Sequence, residues 1–364
     1  MKRYILTVAA LTFSLAMVAP LTSAQTPSTQ PATAQDPAAE EAAAYKAFYD
    51  AYTAKDLAKE FELGKAFVEK FPASKNADYV KKEIIRVRSL LLQQAIAAKN
   101  IPEVVRLGKD ALAADPNNLD YAIYLTIQLR TLDTNLQNAA DIAEFANTAV
   151  RLIESGKTPT PPTGPNPAPF DKNKTLAYFH STLGAIDERN KTMDKAIEHL
   201  HQATMLDPMN AAYFFNCGRL HQDRYVAAAQ KYQALPQEDR TAAEPKPEVK
   251  TALDEVNKEA DAVINCWARF VALKSDYSED TRKKVQAALT DLYKYRHNDS
   301  VEGLQKLIDD NKNSPTPVSM TPPPVAPAAP PPDQKASVQD AMSAKPGTTP
   351  AKPAPAKPNG KKPR

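Results

Sequence analysis

The chain has 364 residues, 43% of them hydrophobic and 24% charged, with a net charge of +3, nine glycines and two cysteines. Only Gly156 and Gly164 of the glycines lie within ten residues of each other, which excludes a glycine-rich phosphate cradle. There is no Cys-x-x-Cys, His-Glu-x-x-His or Gly-x-Ser-x-Gly and no acid–base pair of carboxylates that can be singled out, so the chain reads as non-enzymatic with no cofactor.

In chain order, residues 1–24 read as a secretory signal. Lys2 and Arg3 precede an apolar run from Tyr4 to Val18, and Thr22-Ser23-Ala24 supplies small residues for cleavage. The run is too short for a membrane span, so no transmembrane segment is expected after cleavage. The destination is outside the cytoplasm, in a periplasm or the extracellular space. No Cys stands at the cleavage site to carry a lipid. Residues 25–40, rich in Ala, Pro, Thr and Gln, are expected to form a disordered leader. The folded body is expected over 41–313.

Within the body, Phe61, Gly64, Phe67 and Val68 share a helix face that ends at Phe71-Pro72-Ala73-Ser74. Leu91, Leu92, Val104, Gly108 and Ala111 repeat the arrangement before Asp115-Pro116-Asn117-Asn118. Residues 118–131 and 137–155 supply a further helix pair, with Ile123, Leu125, Leu129, Ile142, Phe145 and Leu152 among its apolar positions. Six prolines between 157 and 171 mark an extended loop. Leu183-Gly184 then precedes Ala196, Leu200 and Ala203, one stripe at i, i+4 and i+7, and Asp207-Pro208-Met209-Asn210 stops it. Phe214, Cys217, Gly218 and His221 begin the pattern again. A glycine inside a helix costs about 1 kcal/mol against alanine, so close helix packing is the expected reason for Gly184 and Gly218.

Towards the C-terminus, Val249, Leu253, Val256, Ala260, Val263, Trp267 and Phe270 recur at three and four residues, which predicts a helix over about 247–274. Ser278-Glu279-Asp280 starts another. Asp299-Ser300 is expected to start a last short helix carrying Val301, Leu304, Leu307 and Ile308. These helices are expected to cap the body. Residues 314–364 are expected to be a disordered tail, with 15 prolines from Pro315 onward and few large apolar side chains. Charge divides along the chain: the tail carries +5, the signal +2 and the stretch between them −4. An exported protein with an acidic body is not expected to bind nucleic acid. The basic tail has two readings, a self-repelling solubiliser or a tether to an anionic envelope surface.

The adjacent Leu-Gly, the Ala-x3-large pair and the closing Pro of 183–210 resemble a tetratricopeptide repeat, a helix–turn–helix of about 34 residues. His180 and Asp187 depart from that signature, standing where Trp and Tyr are usual. The segment from Phe61 to about Asp110 is similar to the repeats of outer-membrane assembly lipoproteins. The resemblance implies an all-α fold, an α-solenoid of helix hairpins with a helical cap and a Pro-rich tail. It also implies a concave groove for a protein or peptide partner, lined here by Tyr178, Ser181 and Arg189, then by Phe215, Asn216, Arg219 and Gln222. Asn216 stands where the family often places an Asn that bonds peptide backbone.

Four of the five histidines fall between 180 and 221. His180 and His221 occupy large-residue packing slots, and His199 and His201, two apart on a helix, point to different faces. The spacing therefore reads as packing or exposure and not as a metal site. Cys217 and Cys266 are a disulfide candidate in an oxidising compartment; two buried thiols are the other reading.

Overall fold

Seven helix starts are marked by a short polar side chain, Asp36, Asp56, Asn100, Asn118, Asp171, Asn210 or Ser278, that satisfies a free backbone N–H. In the computed structural model, which describes residues 36–161 and 169–322, every regular element among the described residues is a helix. The protein is all-α. The expected signal, most of the expected leader, residues 162–168 of the Pro-rich loop and the expected tail from 323 lie outside the described residues. Among those described, no helix is long and apolar enough to cross a membrane.

The chain divides into two compact units between Ile84 and Ile85. The first holds α1 (Pro37–Thr53), α2 (Leu57–Lys70) and the start of α3 (Ala77–Ala97). Asp36 accepts a hydrogen bond from the Ala38 N–H and Pro37 opens the first turn, so Pro37 to Glu40, expected as leader, are helical. Phe48, Phe61, Phe67 and Val80 are fully or almost fully buried. Gly64 makes room for them: a Cβ there would lie 3.1 Å from Ile84 and 3.3 Å from Phe48. Burial, with Glu83 nearby, pushes the Tyr79 phenol up to about 12.

The second unit begins inside α3 and continues with α4 (Ile101–Ala114), α5 (Leu119–Leu132), α6 (Ala139–Glu154), α7 (Lys172–Arg189), α8 (Met193–Leu206) and α9 (Ala211–Gln233). From α4 to α9 each helix packs on the next. The Asp-Pro-x-Asn segments expected as stops also act as starts. Asn118 caps α5 by accepting from the Tyr121 N–H, and Asn210 caps α9 by accepting from the Ala212 N–H. Gly184 lies where a Cβ would be 3.2 Å from the Ala196 carbonyl and 3.3 Å from Leu200, which is the close approach expected of α7 and α8.

After α9 come the short α10 (Gln237–Arg240), then α11 (Pro247–Ala272), α12 (Glu279–Arg296) and α13 (Leu304–Asn313). The 26-residue α11 packs along α9, and α12 and α13 both pack on α11. An aromatic core fills this region: Phe214, Phe215, Tyr225, Trp267, Phe270, Tyr277 and Tyr295. The Trp267 indole lies directly over Gly218, and any Cβ there would overlap it. Arg296 and Asp261 form a two-pronged ion pair between α12 and α11, with Nε–Oδ1 at 2.5 Å.

Two boundaries differ from expectation. The last helix starts at Leu304, not at Asp299-Ser300: Asn298, Asp299 and Gly303 all have positive φ, and Val301 is exposed. The left-handed turn leaves no run for a helix until after Gly303. The tail also begins later than residue 314. Asn311 donates to the Val318 carbonyl at 2.8 Å and accepts from its N–H at 3.0 Å, and the Met320 N–H donates to Asn265 at 2.6 Å. Met320 is buried as a result.

One arginine organises this end. Arg269 is fully buried and has carbonyl oxygens, not a carboxylate, as its principal partners. It donates to Pro208 from Nη2 at 2.8 Å and to Ser314 at 2.9 Å, and also to Asn311. Burial pulls its pKa below the usual guanidinium value.

Candidate functional site

The expected groove falls on α7 and α9. Tyr178, Ser181, Asn216 and Arg219 are all half-buried, the exposure that a contact surface needs. Arg219 reaches from α9 to α7 and forms a two-pronged ion pair with Glu188, with Nη1–Oε1 at 2.5 Å. The pair ties α7 to α9 across this face. Burial raises the Tyr178 phenol, although Arg130 and Thr182 act the other way. Asp223, one turn from Arg219, is also raised: its burial and Glu188 outweigh Arg219. Arg189 points elsewhere and donates to the Asn135 carbonyl.

Two groove residues require correction. Phe215 is 4% exposed and packs on Phe270 and Tyr277, with ring centroids 5.3 and 4.7 Å away. Gln222 is 2% exposed, and its amide atoms find no hydrogen-bond partner among the described residues. The cause is α11. A long helix with large aromatic residues covers the α9 face that the repeat pattern leaves open, so neither residue can touch a partner.

The histidines behave differently from the expectation drawn from spacing. His199 and His201 do point to different faces, but each meets another histidine there. His180 Nδ1 lies 3.1 Å from His199 Nδ1, and His201 Nε2 lies 3.1 Å from His221 Nε2. Burial lowers the pKa of both His180 and His201, and each paired ring adds to the effect.

The second pair belongs to a larger cluster. His201 comes from α8, and Cys217 and His221 are one turn apart on α9. One ligand atom from each of these three lies within 4.8 Å of the others. Cys217 is joined in a disulfide to Cys266 of α11, with Cα atoms 6.0 Å apart. His221 Nδ1 donates to Glu259 Oε2 at 2.6 Å, and Arg224 Nε lies 3.2 Å from the other oxygen. Burial alone would raise the Glu259 carboxyl; His221 and Arg224 outweigh it and hold it low. Cys217, His221 and Glu259 are buried, whereas His201 is open to solvent. The sequence signal for this cluster was the i, i+4 spacing of Cys217 and His221, which is short enough to pass for ordinary packing.

Fold and site thus define an all-α protein with a polar interhelical face and an adjoining His/Cys cluster. No protein-family model matches the chain, and no curated protein matches it.

Proposed function

We propose that this chain is an exported, non-enzymatic binding scaffold of the tetratricopeptide type. In this reading the hairpins stack as an α-solenoid, α11 to α13 form its cap, and a protein or peptide partner lies across the first helices of successive hairpins. The observation that carries it is the Glu188–Arg219 pair, which ties α7 to α9 across a half-exposed face beside Tyr178, Ser181 and Asn216. The Gly184 approach of α7 to α8 supports the repeat reading. With Phe215 and Gln222 buried, affinity rests on polar contacts: Asn216 to peptide backbone, and Arg219 to an acidic group that competes with Glu188.

The test is calorimetry of the exported full chain against its co-purified partner. Asn216→Ala combined with Arg219→Ala weakens binding by about tenfold or more, roughly 1.4 kcal/mol, with helicity unchanged. Unchanged affinity moves the site off this face. The second reading, a cell-envelope assembly or structural factor tethered through its tail, rests on the six basic and no acidic residues from Lys345 to Arg364. It is favoured if deletion of 323–364 abolishes retention at an anionic envelope surface and leaves partner affinity intact.

A further inference from the structure

We propose that His201, His221, Cys217 and Cys266 form a tetrahedral zinc site when the two cysteines are reduced. The site is independent of the groove and is built from three helices: α8 supplies His201, α9 supplies Cys217 and His221, and α11 supplies Cys266.

Geometry carries the argument. Tetrahedral zinc holds imidazole nitrogens at about 2.0–2.1 Å and thiolates at about 2.3 Å, so two nitrogen ligands stand about 3.3 Å apart. The two Nε2 atoms stand 3.1 Å apart, and the Cys217 sulfur shares their 4.8 Å cluster. A nitrogen and a thiolate on one tetrahedral ion stand about 3.6 Å apart, so side-chain rotations that close at most about 1.2 Å bring these atoms to ligand spacing. Cys266, already within bonding reach of Cys217, supplies the fourth ligand.

The surroundings fit the chemistry. The Glu259 carboxylate accepts the His221 Nδ1–H, which leaves the Nε2 lone pair directed at the cluster. Carboxylate–histidine pairs of this kind orient imidazole ligands and increase their basicity. Without an ion, neutral His201 donates its Nε2–H to the His221 Nε2 lone pair; when the ion binds, His201 changes tautomer, its single proton moving through solvent to Nδ1, so that both Nε2 lone pairs face the ion. Two thiolates and two imidazoles suit zinc, and no oxygen ligand is needed. Three ligands are buried, and exposed His201 gives the ion a way in.

Disulfide and metal are mutually exclusive states of one site. A dithiol reductant delivers two electrons and two protons to the Cys217–Cys266 bond and itself becomes a disulfide. Zinc then displaces the two thiol protons. Oxidation runs the other way: a small-molecule disulfide takes two electrons from the thiolates and, with two protons from solvent, becomes a dithiol, while the Cys217–Cys266 bond reforms and the ion is released.

The experiment uses the full chain, prepared anaerobically as dithiol or as disulfide, and titrates it with Zn²⁺ against a chromophoric chelator and with Co²⁺ as a spectroscopic stand-in. The dithiol form binds one equivalent, releases protons and gives thiolate-to-cobalt absorption; the disulfide form binds at least 100-fold more weakly. His201→Ala, on an exposed position that keeps the fold, weakens binding at least tenfold. Glu259→Gln weakens it about 10- to 100-fold, and His199→Ala leaves it unchanged. Equal binding by both redox forms, a cobalt spectrum without thiolate absorption, or full affinity in His201→Ala overturns the site.

Discussion

The pair α7–α8 and the pair α9–α11 start from the same sequence pattern and end in different packing. In the first, Leu183-Gly184 is answered within about twenty residues by Ala196, Leu200 and Ala203, on a helix of 14 residues. In the second, Cys217-Gly218 is answered by Trp267, 49 positions on from Gly218, on a helix of 26 residues. The first glycine is covered by a carbonyl and a leucine and the second by an indole. A glycine says that something comes close. It does not say what, and only a local partner can be read from local spacing.

The disulfide gives the sharpest break between the two regions, because only α9–α11 is cross-linked. In metal-free buffer, reduction removes the restraint on a loop spanning 49 residues. On the chain-entropy account that costs about 4 kcal/mol. Calorimetry with and without reductant measures it, and an unchanged melting temperature would show that α11 stays on α9 by packing alone.

The glycines give the next largest effect. Gly218→Ala forces a methyl group into the Trp267 ring and is expected to cost about 1–3 kcal/mol. Gly184→Ala meets its neighbours at 3.2–3.3 Å and regains about 1 kcal/mol of helix propensity, so it is expected to lie near neutral. Urea denaturation of both variants decides the matter; equal losses would mean that the two close approaches are alike.

Acidity gives the smallest effect. The folded His180 pKa lies below its usual 6.5 because of burial and of His199. The unfolded chain therefore takes up this proton first as pH falls. The stability concerned is fully present above about 6.5 and declines as pH drops through the lowered value. His180→Gln is expected to remove that part of the pH dependence, read from Tm measured between pH 7 and 5. A parent and a variant with identical Tm–pH curves would place the histidine outside the titrating set.

How far the fold could be read ahead follows from the same contrast. The helices of 118–155, 183–210 and 247–274 were legible from their apolar period, and the starts at Asn118, Asn210 and Ser278 also from their capping side chains. The start of α13 was not, since Asn298 and Asp299 adopt left-handed backbone that their residue types allow but do not require. The 314–320 strap was hidden because its hydrogen bonds come from Asn265, Arg269 and Asn311, polar residues with no periodic signature. At the candidate site, Arg219 and Asn216 stayed on the half-exposed face, while Phe215 and Gln222 were buried, Phe215 by Phe270 of the later helix α11. The His201–His221 contact joins residues on two helices, and no single-helix projection contains it.

Arg269 gives the molecule a direction in time. Its acceptors lie on either side of it along the chain: the Pro208 carbonyl is made before Arg269, and the Asn311 carbonyl 42 residues after it. A growing chain that has reached α11 holds a guanidinium with only part of its acceptor set, and water must serve for the rest. The α9–α11 interface can therefore dry out only once residues through about 316 have been made. A product cut short before Asn311 lacks these acceptors and is expected to keep a wet, loosened end that is cut faster by protease than the full chain.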